Sequence, residues 1–323
     1  MVILFSILSF LLLLSLIFFL LVFYAPTKKP PAPDEYPMPQ GRIYEPYHDL
    51  LLRWMKNSRE MPHQTFTVTS FDGLTLLGRY YEYAPGAPME LMFHGYRGSG
   101  ERDLCVGIQR AFSLGRSVLI VEQRTSCGSG GHVITFGVRE SRDVQTWVDF
   151  AIETFGPDVT ILLTGISMGA TTVLMAAGRP LPPNVKGVLA DCGFTSAREI
   201  ICKVMRQLHL PAALFYPLVA LGARLWGGFR LADSDALQAL QTCTLPVIFI
   251  HGEADDFVPC DMSRRNYDAC PSPKALLTIP GAGHGLAYMG DPEAYLQALC
   301  EFFTANGVPT ALIKNSENHE ITA

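Results

Sequence analysis

The sequence predicts a single α/β domain with a mostly parallel central sheet, helices on both faces and a small helical cap, preceded by one N-terminal transmembrane helix. Three observations predict it: an almost uninterrupted apolar stretch at the N-terminus, short apolar runs alternating with helical segments from Met89 onward, and a long helical insertion between Asp191 and Leu245. Alternating strands and helices are typical of a parallel sheet covered on both faces.

The composition fits a globular domain and gives no sign of a nucleic acid partner. Of the 323 residues, 49% are hydrophobic and 17% are charged, and the net charge is −5. This acidic balance lacks the basic footprint of nucleic-acid-binding proteins. The eight cysteines show no C-x-x-C pair, so the sequence predicts no zinc site, and the thiols weakly favour a reducing compartment. Nothing in the sequence sets the oligomeric state.

Residues 1–25 are predicted to form a single-pass membrane anchor. From Val2 to Tyr24 the only polar residues are Ser6, Ser9 and Ser15. A stretch of this length crosses ~30 Å of hydrocarbon as a helix. The chain is therefore expected at the cell membrane, with the membrane itself as one partner.

A cleaved signal peptide is the competing interpretation of this stretch. The basic n-region of a signal peptide is missing, the apolar stretch is too long, and no small-x-small cleavage site precedes Pro26. Lys28 and Lys29 follow the helix and no basic side chain precedes it. The positive-inside rule therefore weakly favours a domain on the cytoplasmic side.

The remaining boundaries follow from composition. Six prolines in residues 26–43 predict a stiff, extended spacer that holds the domain off the bilayer. The folded domain is expected over 44–303, with the cap at about 195–243, and the polar segment 304–323 is expected to be a disordered tail. Apolar cap residues are candidates for an acyl pocket, with packing against the sheet as the alternative: Leu214, Phe215, Tyr216, Leu221 and Trp226.

Within the domain, the elements follow in order. An amphipathic segment begins near Tyr44, and TFTVTS, the turn at 71–73 and LTLLGRYYEY predict a hairpin. Strands are then predicted at ELMFHG, SVLIVEQR, VTILLTG, VKGVLAD, LPVIFIHG and ALLTIPGAGH. Helices are predicted over 99–114, 139–155, 168–177 and 292–303. Polar motifs follow the strands, so we expect them to converge at the carboxyl edge of the sheet.

The motif GISMG places Ser167 between a buried strand and a helix. This is the context of a nucleophile elbow, in which a sharp turn exposes a serine hydroxyl. A serine needs a neighbouring base and backbone N–H donors to act as a nucleophile at neutral pH. The sequence therefore predicts Ser167 as a catalytic nucleophile.

The base and its carboxylate are expected later in the chain, in the order serine, acid, histidine. His284 lies in the glycine-rich loop IPGAGHGLAY after the last predicted strand and is the candidate base. Asp255 and Asp256 follow the strand before it, and Asp191 ends an earlier strand, so all three are candidate acids.

The oxyanion hole needs two backbone N–H donors. Met168, directly after the serine, is expected to provide one, and Tyr96 in MFHGYRGSG the other. His94, in the same motif, is interpreted as a residue that fixes the loop by hydrogen bonding rather than as a base.

Seven motifs in order resemble the alpha/beta-hydrolase superfamily, particularly its membrane-anchored or cytosolic bacterial esterases and serine-peptidase-like members: HGYRGSG, EQRTSCGSGG, TFGVRES, GISMG, DCGFTS, HGEADDFVP and GAGH. The similarity runs from about Phe66 to Phe303. The resemblance implies the alpha/beta-hydrolase fold, hydrolysis of an ester, thioester or amide through an acyl-serine, and no metal or organic cofactor.

The resemblance also selects the acid. Asp255 follows His251 by four residues, the spacing that related sequences use, so Ser167, His284 and Asp255 are assigned as the triad. One departure concerns Cys127, which stands where related proteins have glycine. A second nucleophile at Cys127 is disfavoured because no histidine or helix N-terminus is evidently aimed at it.

The sequence as a whole favours a serine hydrolase that cleaves a carboxylic ester with a short or medium acyl chain. A serine aminopeptidase or amidase acting on small peptides is the alternative within the enzymes. A non-catalytic, membrane-tethered binding module is the alternative from another class, and it is disfavoured because all three triad candidates are present.

Overall fold

An eight-stranded sheet forms the centre of the molecule. The computed structural model describes residues 1–27, 29–308, 310 and 312–313. The strand order is β1-β2-β4-β3-β5-β6-β7-β8; β1 and β2 pair antiparallel, β2 pairs antiparallel with β4, and all other neighbours are parallel. The strands are β1 (Gln64–Thr69), β2 (Thr75–Tyr81), β3 (Met89–Phe93), β4 (Ser117–Glu122), β5 (Ile161–Ile166), β6 (Val185–Asp191), β7 (Val247–Gly252) and β8 (Lys274–Ile279).

Helices cover both faces of this sheet. They are α1 (Val2–Val22), α2 (His48–Glu60), α3 (Gly100–Phe112), α4 (Glu140–Phe155), α5 (Met168–Ala177), α6 (Ala197–Gln207), α7 (Ala212–Leu225), α8 (Ala236–Leu240), α9 (Cys260–Ala269), α10 (Ala287–Gly290) and α11 (Pro292–Ala305). Helices α4, α5 and α8 pack on one face, and α2, α3 and α11 pack on the other. All predicted strands and helices are present, and α9 and the short α10 are additional helices that the sequence analysis missed.

The central strands are apolar along their whole length because both faces of the sheet are covered. Every residue of β3 is buried. Leu91 and Phe93 face the α4 and α5 side, whereas Met92 faces α3. Parallel strands buried on both faces are expected to form continuous apolar runs of this kind.

The chain between β6 and β7 folds into α6, α7 and α8, and α7 packs against the end of α1. Phe19 and Phe23 share one apolar cluster with Val219, Ala223 and Met168. Helix α1 is long and apolar enough to be a membrane span or a signal sequence. Its C-terminal turns are also part of the packed structure.

The segment predicted as a stiff spacer that holds the domain off the bilayer lies against the domain instead. Ala25 donates a backbone hydrogen bond to His132, and Thr27 Oγ1 donates to the Gly131 carbonyl at 2.8 Å. The Arg59 guanidinium then donates to the carbonyls of Ala32, Pro33 and Glu35 at 2.6 to 3.2 Å, and its charge also pairs with Glu101. Residues 25–27 and 29–47 therefore follow the surface of the domain, and we call them the strap.

The predicted boundary of the tail was also too early. Helix α11 continues to Ala305, and Val308 is buried. Thr310 Oγ1 accepts a hydrogen bond from Arg116 at 2.8 Å, and the Ile313 amide donates to the Ser113 carbonyl at 2.9 Å. The rest of the predicted tail, 314–323, lies outside the described residues.

Candidate active site

Ser167 occupies a strained turn between β5 and α5. Its backbone has φ 56° and ψ −120°, a conformation that is costly for a residue with a side chain. Glycines on either side allow the turn to close. A Cβ on Gly165 would lie 2.2 Å from the Gly169 carbonyl oxygen, and a Cβ on Gly169 would lie 2.0 Å from the Phe93 carbonyl oxygen. The elbow therefore packs directly against the backbone of β3.

His284 lies in the loop after β8 and faces Ser167. The distance from His284 Nε2 to Ser167 Oγ is 2.9 Å, and the distance from His284 Nδ1 to Asp255 Oδ2 is 2.6 Å. The Tyr44 hydroxyl donates to the His284 carbonyl at 2.9 Å. The structure thus brings the three predicted triad residues into one hydrogen-bonded chain, and it adds a contact from the strap that the sequence analysis missed.

Asp255 is held as an ionised carboxylate. Its Oδ1 accepts the backbone N–H groups of Phe257 at 2.9 Å and Val258 at 2.8 Å. Its Oδ2 lies 3.1 Å from His251 Nε2 as well as beside His284. Burial by itself raises the pKa of Asp255, but the hydrogen bonds from His251 and His284 outweigh burial and hold this pKa well below its usual range.

The role of His251 was not foreseen. Its Nε2 lies between Asp255 Oδ2 and the Val258 carbonyl, 2.8 Å from the latter. Both neighbours are acceptors, so Nε2 carries the proton, while Nδ1 can accept from the Ser263 hydroxyl at 2.7 Å. His251 therefore helps to hold the same carboxylate oxygen of Asp255 that faces His284.

The two rival acids lie elsewhere. Asp256 is exposed. Its described hydrogen bonds are those that its backbone carbonyl accepts from the side chains of Lys203 and Gln207. Asp191 is buried and accepts from the Tyr295 hydroxyl at 2.9 Å. Burial raises the pKa of Asp191. Neither carboxylate has a described hydrogen bond to the His284 ring.

The backbone amides of Tyr96 and Met168 are available to an oxyanion: within the described part of the chain, neither N–H has a hydrogen-bond acceptor. The neighbouring Gly95 amide is occupied, because it donates to Asp103 Oδ2 at 3.0 Å. His94 fixes this loop as expected. Its Nδ1 lies 2.8 Å from the Gly95 carbonyl, and its Nε2 accepts the backbone N–H of Gln123 at 3.0 Å.

Cys127, at the position where the resemblance implies glycine, lies in a turn with left-handed backbone. Its backbone has φ 36°, and Gly128 continues the turn at φ 98°. The residue is buried, and burial raises the pKa of its thiol. This environment disfavours the nucleophilic thiolate.

A cavity of about 180 Å³ opens beside Ser167. Its wall is mostly apolar and includes Leu51, Val106 and Phe257, with the paired Arg102 and Asp103 as its charged residues. The strap contributes Pro39 and Tyr44 to the same wall. The proposed acyl-pocket residues of the cap are not part of it. Phe215 packs against Phe18 of α1 instead, and Tyr216 lies beside Arg198 of α6.

Three potential metal ligands lie close together near the serine. Among the described residues, Cys192, Asp255 and His284 place one potential ligand atom each within 4.8 Å of one another. Two of the three are already bonded in the chain to Ser167. Burial raises the pKa of the Cys192 thiol well above its usual value, whereas a metal requires the thiolate. The arrangement is suited to proton transfer.

Comparison with known proteins identifies the fold. The family model described as "alpha/beta hydrolase fold" matches residues 91–237. The solved structure of the esterase Pf2001 of Pyrococcus furiosus superposes with a TM-score of 0.64 at 20% identity, covering 87% of this chain and 98% of that one. The chain has the alpha/beta-hydrolase fold. Similar folds within the superfamily include a puromycin-hydrolysing peptidase of Mycobacterium tuberculosis, with a TM-score of 0.59 at 18% identity, covering 76% of this chain and 39% of that one.

A curated relative of this alpha/beta hydrolase is the uncharacterized protein YqkD of Bacillus subtilis (strain 168). The two are 30% identical over 190 residues, which make up 58% of this chain. The match spans 62% of the Bacillus protein, less than two thirds of its length. Esterases and peptidases therefore both occur among the similar folds, and the superfamily alone does not distinguish between them.

Proposed function

We propose that this alpha/beta hydrolase is a membrane-anchored serine hydrolase that cleaves carboxylic esters with a short or medium acyl chain. One observation carries the proposal: Ser167 Oγ, His284 and Asp255 are joined at 2.9 and 2.6 Å beside a largely apolar cavity of about 180 Å³. A nucleophile, its base and an orienting carboxylate in this order are the arrangement that acyl transfer requires.

In the proposed mechanism, His284 Nε2 takes the proton from Ser167 Oγ as the oxygen attacks the ester carbonyl carbon. The carbonyl oxygen becomes an oxyanion that accepts the backbone N–H groups of Tyr96 and Met168. Asp255 keeps the other ring nitrogen of His284 protonated and stabilises the imidazolium.

The same groups then complete the turnover. His284 returns its proton to the leaving alkoxide, the carbon–oxygen bond to the alcohol breaks, and an acyl-serine remains. A water molecule that transfers a proton to His284 attacks this acyl group. The second oxyanion collapses, the carboxylic acid leaves, and Ser167 regains its proton.

The charges in the cavity favour an ester over a peptide with a free amino terminus. An α-ammonium group needs an unpaired carboxylate nearby. Asp103 is the acid in the cavity wall among the described residues, and both its oxygens are engaged, one by Arg102 at 2.6 Å and the other by the Gly95 amide at 3.0 Å. The aminopeptidase or amidase alternative is therefore less well supported.

Retention of α1 as an anchor is part of the proposal. Phe19 and Phe23 are buried against the cap, so cleavage after the apolar stretch would uncover an apolar surface. Basic residues after the helix support a domain on the cytoplasmic side.

The test is fluorophosphonate labelling of the detergent-solubilised full chain, followed by p-nitrophenyl esters from acetate to laurate and aminoacyl p-nitroanilides. We expect labelling and ester hydrolysis in the wild type and neither in Ser167→Ala. Faster cleavage of the anilides would favour the peptidase. A folded wild-type protein that neither labels nor hydrolyses any substrate would favour the binding module.

A further inference from the structure

Helix α7 of the cap packs side by side with the C-terminal half of α1. The rings of Phe18 and Phe215 lie 5.6 Å apart between centroids, and Trp226 Nε1 donates to Ser15 Oγ at 3.2 Å. At Gly222 the helices approach so closely that a Cβ would lie 2.5 Å from the Ser15 carbonyl oxygen. The contact therefore begins at Ser15, well inside the apolar stretch.

The position of this contact conflicts with a domain that lies wholly outside the bilayer. In that case only Val2 to Leu14 would be left to cross it, a length of about 20 Å at 1.5 Å per residue. The hydrocarbon core is ~30 Å thick and needs about 20 residues of helix. The full α1, which has 21 residues, meets this length. If α1 crosses the core, the part from Ser15 to Val22 lies in lipid, and the helix packed beside it lies at the same depth.

The exposed surface of α7 has the composition that this depth requires. Leu214 is 64% exposed, Leu225 is 50% exposed and the adjoining Trp226 is 45% exposed. The only charged residue of α7 is Arg224, in its last turn. Exposed leucine and tryptophan side chains with few charges are typical of helix surfaces that contact lipid.

We propose that α7 is a second membrane contact, which lies in the lipid beside α1 with Leu214, Leu225 and Trp226 facing the acyl chains. This inference rests on α1 spanning the bilayer, as proposed above. The lipid contact fixes the orientation of the domain on the membrane, since a second helix in contact with lipid opposes rotation of the domain about α1.

The proposed arrangement also brings the active site close to the lipid. The Tyr96 hydroxyl donates to the carbonyl of Val22, the last residue of α1, at 2.7 Å. The loop that carries one proposed oxyanion donor is thus one hydrogen bond from the end of the membrane span. Esters dissolved in the bilayer are the substrate class that this geometry favours.

The test uses the quenching of tryptophan fluorescence by brominated acyl chains. The full chain is reconstituted into phosphatidylcholine vesicles with and without bromine on the lipid. Its three tryptophans include Trp54 and Trp147, which are buried inside the domain. We expect bromine to quench emission from the wild type but not from Trp226→Phe, with circular dichroism as the check on folding.

A second variant tests the consequence for substrate. Leu214→Asp combined with Leu225→Asp should lower hydrolysis of a vesicle-embedded ester of a medium-chain acid and a long-chain alcohol by about tenfold or more, because a charged side chain in hydrocarbon costs more than the 1.4 kcal/mol of one decade. Hydrolysis of soluble p-nitrophenyl acetate should change less than about twofold. Leu312→Asp, at a residue that is 48% exposed and outside the cap, is the matched control.

The two proposals fail separately. Extraction of the reconstituted chain by alkaline carbonate would overturn the anchor and this inference with it. A chain that resists extraction but shows equal quenching in the wild type and Trp226→Phe would overturn the inference alone. Equal losses on the embedded and the soluble ester in the double aspartate variant would also count against it.

Discussion

Replacement of Asp255 by asparagine is expected to abolish activity while leaving the fold intact. The orientation of the new amide is set by the structure. Two backbone N–H groups, of Phe257 and Val258, donate to Oδ1 at 2.9 and 2.8 Å, so the amide oxygen takes this position. The amide nitrogen then faces His284 Nδ1, which lies 2.6 Å from the atom it replaces.

The consequence is the wrong tautomer of the base. An N–H group facing Nδ1 requires that nitrogen to be an acceptor, so the proton moves to Nε2. His284 Nε2 can then no longer take the proton of Ser167. Rotating the amide would leave two backbone donors without an acceptor, at a cost of about 1–3 kcal/mol for each. An aspartate-to-asparagine change in a serine protease triad lowers kcat by about 10⁴, which is about 5.5 kcal/mol of activation free energy.

The assay compares kcat for a p-nitrophenyl ester and the rate of fluorophosphonate labelling in the full chain. Asp256→Asn is the matched control, since this neighbour is exposed and should retain activity within about twofold. Thermal unfolding separates catalytic loss from misfolding. A kcat for Asp255→Asn within tenfold of the wild type, or an equal loss in Asp256→Asn, would refute the assignment of the acid.

Three further predictions concern the elbow, the sheet and the strap. Gly169→Ala places a Cβ 2.0 Å from a backbone oxygen of β3, so the free energy of unfolding should fall by about 3 kcal/mol or more. A variant as stable as the wild type in denaturant would contradict the close packing. Glu90 is buried with two arginines. Burial by itself raises its pKa, but the arginine charges outweigh burial and lower this pKa from 4.5 to about 2. The carboxylate therefore contributes about 3 kcal/mol to the free energy of unfolding above pH 4.5, and this contribution is lost as the pH falls towards 2. Glu90→Gln should therefore be less stable than the wild type at pH 7 and lose less stability on acidification. If the free energies of unfolding of the two proteins fall in parallel with pH, Glu90 does not stabilise the fold through its charge. Tyr44→Phe removes the hydrogen bond to the His284 carbonyl, worth about 1 kcal/mol, and kcat/KM should fall about fivefold, whereas a comparable loss in Tyr47→Phe would point to a general packing effect.

The sheet and the elbow were predictable because their signals are local. A short apolar run followed by Gly-x-Ser-x-Gly and a helical segment specifies a strand, a turn and a helix within about twenty residues. His284 was predictable for a related reason, since it follows the last strand and parallel strands end at one edge of the sheet. The choice of Asp255 needed the resemblance to a family, because Asp255 and Asp256 have the same chemistry.

The strap was not predictable because its contacts are distant in sequence and depend on backbone atoms. Prolines make a segment extended, but they do not say whether it is free or lies on a surface. Arg59 binds three strap carbonyls, and Tyr44 and His284 are separated by 240 positions. No pattern in the sequence of the strap predicts these contacts. Helix α9, with the sequence CDMSRRNYDA, was missed because it is short and polar on most of its surface.

The strap and α2 also give the protein an order of assembly. Leu51 and Trp54, near the start of the domain, share an apolar cluster with Tyr295, Leu299 and Phe303 of the last helix. During synthesis, α1 and the strap leave the ribosome some 240 residues before the loop that carries His284, which Tyr44 of the strap contacts. We therefore expect a nascent chain to be anchored long before it is competent, with the triad and cavity closing together when the final helix docks.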